Sequence, residues 1–173
     1  YNYDAPVDIA TIKDSSWALN LAVHRLEDKK FDLDFVREII EQAAIVYNSK
    51  KSGILELGGG VPKNTAQQTG PLLDQILKRN DGGQEYIIQI TDARPDTGGL
   101  SGATLQEGKS WGKIQDSHEG IITVYADATI AFPILALYVL SNQKERKPKR
   151  LYKKIDQLYD KLSKDYFDNP NRD

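Results

Sequence analysis

Cysteine is absent from the 173 residues, methionine is absent too, and the only histidines are His24 and His118. Without cysteine there is no disulfide, no thiolate nucleophile and no thiolate metal site, which is compatible with a reducing cytosol without demanding one; the expected location is cytoplasmic. Neither histidine has a second histidine at ligand spacing, so no metal site is expected. An excess of one charge sign is missing as well. The 23 Lys and Arg stand against 25 Asp and Glu, a net charge of −2, which leaves no surplus of cations for phosphates; nucleic acid is therefore not an expected partner. Long apolar runs are also missing. The longest, Ala128 to Leu140, is 13 residues, too short to span a bilayer, so no membrane partner is expected. The chain opens at Tyr1 without the charged and apolar regions of a signal peptide, and we expect it to be part of a longer chain.

What remains is ordinary globular composition, 39% hydrophobic and 28% charged, at a length that fits one domain. Pro6 to Ile12 reads as a short strand, Ser16 to Glu27 as a helix capped by Ser15 or Ser16, and Asp28 to Lys30 as a turn. Asp34 caps a second helix whose apolar positions Val36, Ile39, Ile40, Ala43, Val46 and Tyr47 recur every three or four residues. Ser52 to Leu57 reads as a buried strand ended by Gly58-Gly59-Gly60, and a polar helical stretch with Pro71 opening its last section runs to about Arg79. Glu85 to Thr91 and Ile121 to Ala126 are further strands. Between them lie a glycine-rich loop and a helix from Thr104 to about Trp111; Asp127 or Thr129 then caps an apolar helix carrying Pro133. Strand alternating with helix predicts an α/β, Rossmann-like fold: a mostly parallel sheet with helices on both faces. The basic stretch with Lys144, Arg146, Lys147, Lys149 and Arg150 has two readings, a nucleic-acid or acidic-partner site or a solvated connection, and the second is favoured. Leu151, Ile155, Leu158, Leu162 and Tyr166 then form a helical stripe expected to dock on the domain or on a neighbouring subunit.

Ligands of open parallel sheets bind beyond the carboxyl ends of the strands, and three such ends carry unusual residues. The glycine triplet lets backbone amides approach a phosphate, or forms only a tight turn. Asp92 to Lys113 holds Gly98, Gly99 and Gly102 and ends in Ser110-Trp111-Gly112-Lys113. Lys113 either forms a Schiff base beside an indole that walls an amine substrate, with Glu107 holding a substrate ammonium, or is a surface lysine next to a core tryptophan. Asp127, in Tyr125-Ala126-Asp127-Ala128, either accepts from ribose hydroxyls or caps the helix.

Together these residues resemble the C-terminal half of the deoxyhypusine synthase family: Leu57-Gly58-Gly59-Gly60-Val61-Pro62-Lys63, Ser101-Gly102-Ala103, Glu107, Ser110-Trp111-Gly112-Lys113 and Val124-Tyr125-Ala126-Asp127-Ala128, in order from about Pro6 to Leu140. The resemblance implies an NAD-dependent transferase that oxidises spermidine, releases diaminopropane and carries the aminobutyl group as an imine on its lysine, at Lys113 here. It implies substrate-lining positions at Glu107, Trp111, Asn64, Gly98, Gly99 and Leu100. Positions around NAD are implied at Asp14, Gly59, Asp92, Ala93, Ser101, Asp127 and Ala128, together with a homotetramer. Residues 1–143 would be the C-terminal half of the NAD-binding domain, and 144–173 a basic linker and amphipathic helix; the missing N-terminal half is an implied partner.

Three departures accompany the match. Asn64 stands where protein-modifying members carry a histidine, Leu100 where they place an aspartate, and Leu19 where another anchoring aspartate falls. The wording from Asp96 to Thr104 is like the bacterial deoxyhypusine synthase-like branch, in which a free diamine, giving homospermidine, is the alternative acceptor to a protein lysine. A non-catalytic assembly subunit is the reading from another class.

Overall fold

A computed structural model describes residues 16–27, 34–79, 83–115, 120–144 and 147–170. The expected strand Pro6 to Ile12, the turn Asp28 to Lys30, Asp14 and His118 lie outside the described residues. Helix α1 spans Ser16–Leu26 and α2 spans Phe35–Tyr47. The Asp34 side chain accepts from the Arg37 backbone N–H at 2.9 Å, so one of the amides that a helix start leaves unpaired is satisfied there.

Three strands follow: β1 Gly53–Leu57, β2 Tyr86–Thr91 and β3 Ile121–Tyr125. They form one parallel sheet in the order β1-β2-β3, with Leu57 opposite Ile90 and Thr91 opposite Tyr125. Parallel neighbours need crossovers. The first runs through α3 (Val61–Gln67), a helical turn at Thr69–Pro71 and a π-helical segment at Leu72–Ile76; the second runs through α4 (Leu105–Ser110). The polar stretch after the glycines is thus helical as expected, but its ladder changes at Pro71. Proline has no N–H to continue it, and past that point the Leu77 N–H reaches back five residues to the Leu72 carbonyl at 2.9 Å. Asp127, not Thr129, caps α5 (Ala128–Asn142), and the basic connection leads into α6 (Ile155–Phe167).

Side chains alternate across a strand, so paired residues share a face. One face carries Glu56, Ile87, Gln89 and Ile121 and is sealed by Gln67, Leu105 and Ile114 from the crossovers. On the other face Ile90 is buried, while Leu55, Leu57, Tyr86 and Ile122 keep 46% to 52% of their surface exposed. A second core joins Ala43 and Ala44 of α2 to Leu73 and to Leu162 of α6. The Tyr47 hydroxyl donates to Asp165 at 2.7 Å across that contact, so the amphipathic C-terminal helix docks within the chain. Val36 and Ile39, on the flank of the α2 stripe, stay exposed. No described helix is long and apolar enough to cross a membrane.

Candidate active site

Because all three strands run the same way, Gly58 to Gly60, Asp92-Ala93 and Asp127-Ala128 emerge at the same edge of the sheet. Gly58 and Gly60 have φ of +84° and +93°, a region in which a Cβ is strained. Between them a Cβ on Gly59 would lie 2.7 Å from the Ser101 Cα, so this glycine permits the loop after β2 to lie directly on the loop after β1. The Gln89 amide donates to the Ser101 carbonyl at 3.5 Å and holds the same loop from below. A Cβ on Gly58, Gly98 or Gly99 would meet nothing within 4 Å, which leaves open space at the strand ends. Asp92 is exposed, and the Ala93 N–H donates to the Thr91 hydroxyl at 3.2 Å. Asp127 Oδ1 accepts from both the backbone N–H and the hydroxyl of Thr129, each at 2.7 Å, and these bonds hold its carboxyl below the usual range. Ala128 is half-buried beside it. Open space, strand-end amides and an ionised carboxylate at one edge fit a dinucleotide.

Lys113 approaches from the neighbouring crossover. The Thr104 hydroxyl accepts from the Glu107 N–H at 3.2 Å and starts α4; the helix closes at Trp111, and the Lys113 N–H returns to the Gly108 carbonyl at 2.9 Å. This turn sends the half-buried Lys113 side chain to α3, where its Nζ donates to Asn64 Oδ1 at 3.2 Å. Trp111 is 68% exposed, so it is not a core tryptophan; its indole is free to face a ligand, while its carbonyl accepts from the Gln75 amide at 3.2 Å. Leu100 is 51% exposed and Leu19, on α1, 72%.

Two groups that sequence reading gave no role lie beneath this surface. Glu56 is 4% exposed, with Oε1 accepting from the Gln67 amide at 2.5 Å. Burial pushes its carboxyl up, against the pull of that hydrogen bond and of the Lys63 charge. Lys63, 6% exposed, donates to the Ala103 carbonyl at 2.7 Å. Burial pushes it down; Glu56 and Glu107 oppose the shift and Lys113 adds to it. Glu107, expected to hold a substrate ammonium, also acts on Lys63 from α4. The one signal for the pair in the sequence was a carboxylate interrupting the apolar run Ile54-Leu55-Glu56-Leu57.

Comparison with known proteins identifies the family of the chain. The family model described as deoxyhypusine synthase matches residues 1–139. A deoxyhypusine synthase-like protein of Nostoc sp. (strain PCC 7120) is 44% identical over 96% of this chain and 45% of its own length; one of Nostoc punctiforme is 44% identical over 96% and 44%. A probable deoxyhypusine synthase 2 of Methanosarcina acetivorans is 40% identical over 79% of this chain and 39% of its own. The chain spans a little under half the length of these curated relatives. The family match over most of its length and these relatives show that the chain belongs to the deoxyhypusine synthase family.

Proposed function

We propose that the complete protein transfers an aminobutyl group from spermidine to an acceptor amine, with Lys113 as the covalent carrier. The observation that carries this reading is the Lys113 amine: half-buried, held on α3 by the neutral amide of Asn64 rather than by a carboxylate, two residues after the exposed Trp111. NAD, when bound, would supply a hydride acceptor for the polyamine and, later, the hydride donor for the final reduction. Gly59, Asp92, Ala93, Ser101, Asp127 and Ala128, with Asp14, would hold that cofactor.

Lys113 Nζ attacks the oxidised carbon, forming the new C–N bond of a lysine imine as the bond to diaminopropane breaks. The acceptor amine then displaces Lys113 by the same exchange. Trp111 would offer a cation–π face to the polyamine, Glu107 an anionic anchor, and Gly98, Gly99 and Leu100 the loop that borders it. Asn64 does not titrate; it orients the Lys113 amine and moves no proton. Asn64 and the half-exposed Leu100, which supply no carboxylate or imidazole, favour a free diamine over a protein lysine as acceptor, so that putrescine would give homospermidine.

Assembly is part of the reading. The partly covered sheet face and the exposed α5 suit a second half that completes the layer, within a homotetramer of a cytoplasmic enzyme. The test is product analysis by mass spectrometry after incubating the complete protein with NAD, labelled spermidine and putrescine. Labelled homospermidine, with a borohydride-trapped adduct on Lys113 and loss of both in Lys113→Arg, is the expected result. Unchanged spermidine and no adduct would leave the non-catalytic assembly role.

A further inference from the structure

Lys63 is a buried cation that the reaction above does not use. It is 6% exposed, and its Nζ donates to the Ala103 carbonyl at 2.7 Å. A lysine is costly in such a place, and a methionine of similar volume would satisfy the packing, so the reason for it lies in what the ammonium holds. Ala103 is a junction. The loop before it carries Leu100 and Ser101, and Thr104 after it caps α4, which carries Glu107 and leads to Trp111 and Lys113. The Gln89 amide also holds this loop, but its contact with the Ser101 carbonyl is longer, 3.5 Å, so the charge-assisted bond from Lys63 is the stronger tie. The next residue on α3 holds the far end of the same segment. Asn64 Oδ1 accepts from Lys113 Nζ at 3.2 Å, and Asn64 Nδ2 donates to the Gly60 carbonyl at 3.3 Å, which fixes the amide on the glycine triplet. Lys63 and Asn64 are consecutive on α3, so one helical turn grips the chain just before α4 and again just after it.

We propose that Lys63 is a positioning residue: a buried ammonium that pins Ala103, where the loop passes into α4, and so fixes Ser101 and Glu107 relative to Lys113. This rests on the reading of Lys113 as the imine-forming lysine and of Ser101 as a cofactor contact. Cofactor, polyamine and lysine react only in near-attack geometry, and a displacement of about 1 Å is enough to slow such a reaction heavily. A tie to a backbone carbonyl moves no proton and touches no substrate; its work is to keep the loop and the start of α4 in register with the residue that holds Lys113.

Hydrogen–deuterium exchange of the complete protein, read by mass spectrometry, tests the tie without cofactor or polyamine. The Gly102 and Ala103 amides donate to the Gly99 and Leu100 carbonyls and report the order of the loop. Lys63→Met is expected to speed exchange across residues 98–108 about tenfold or more, the equivalent of one lost hydrogen bond to a charged group, while β1 and β2 exchange as in the parent. Lys63→Arg, which keeps a cationic donor, is expected to restore protection. NAD affinity, measured by calorimetry, should fall about tenfold in Lys63→Met and recover in Lys63→Arg. Should Lys63→Met fail to fold, Lys63→Gln, one atom shorter and uncharged, carries the same expectation. Three results overturn the proposal: parent-like loop protection or NAD affinity in a folded Lys63→Met or Lys63→Gln variant, faster exchange spread equally over β1 and β2, or no recovery in Lys63→Arg. Exchange needs no turnover, so these results leave aminobutyl transfer standing, whereas a parent protein that binds NAD but transfers nothing overturns only the proposed reaction.

Discussion

At Gly59 the required atom is the one that is missing. A methyl there would lie 2.7 Å from the Ser101 Cα and 2.9 Å from its carbonyl oxygen, and both are backbone, which yields only by moving the loop. Gly59→Ala is expected to lower stability by about 1–3 kcal/mol, the usual cost of overpacking, in urea unfolding. NAD affinity should fall with it, since Ser101 moves; unchanged stability would mean that the loop swings aside freely. The glycine triplet was legible in the sequence as a strand end, but its purpose was not, because the turn and the close approach share one pattern. Asp127 is similar: both of its readings were open, and the two Thr129 bonds settle the cap without using Oδ2. Those bonds favour the ionised carboxylate. Its contribution to stability is therefore present above the unfolded-state pKa and is lost as pH falls through the lower folded value. Lys63 and Glu56 were the least legible. Spacing within one segment does not reveal that the first turn of α3 folds its lysine under the loop that carries Ala103.

Among the elements, α2 and α6 were readable because apolar residues recur at helical spacing in both, and α2 begins at the expected cap. What each meets was not readable, since periodicity gives a face and not its partner. Leu162, 1% exposed, enters the cluster of Ala43, Ala44 and Leu73, with Leu158 packed alongside. Leu162→Ala is expected to cost about 2–5 kcal/mol, because the helical backbones around it cannot collapse fully into the space left. Urea unfolding followed by circular dichroism measures this. A cost well under 1 kcal/mol would mean that α6 contributes little to the fold. The π-helical segment escaped sequence reading for a different reason. Pro71 announces a break in the ladder, but whether the chain then turns, kinks or widens depends on Leu73 finding the α2 core.

At the scale of the molecule, the three parallel strands among the described residues and their crossovers make an α/β layer whose surface is still strongly apolar. None of the residues of α5 is buried, although Ile130, Ile134, Leu137 and Tyr138, spaced as one helical stripe, are 66% to 69% exposed. The sequence forecast the helix but not its exposure, because an all-apolar segment reads as interior. A patch of this kind fits the proposed assembly, in which another polypeptide covers it, and the chain spans under half the length of its relatives. Paired with a polypeptide corresponding to the unmatched portion of the Nostoc relative, the chain is expected to form a stable complex, and the stripe to enter its interface. The double substitution Ile134→Glu and Leu137→Glu should abolish that complex in size-exclusion chromatography with light scattering. The far-ultraviolet circular dichroism of the chain should be preserved, because these exposed side chains contribute little to its internal packing. Each glutamate would have to be desolvated at an apolar contact without a partner, a penalty of several kcal/mol per charge. A double variant that assembles as well as the parent chain would show that the partner half docks elsewhere, with the edges of β1 and β3, which no described strand covers, as candidate surfaces.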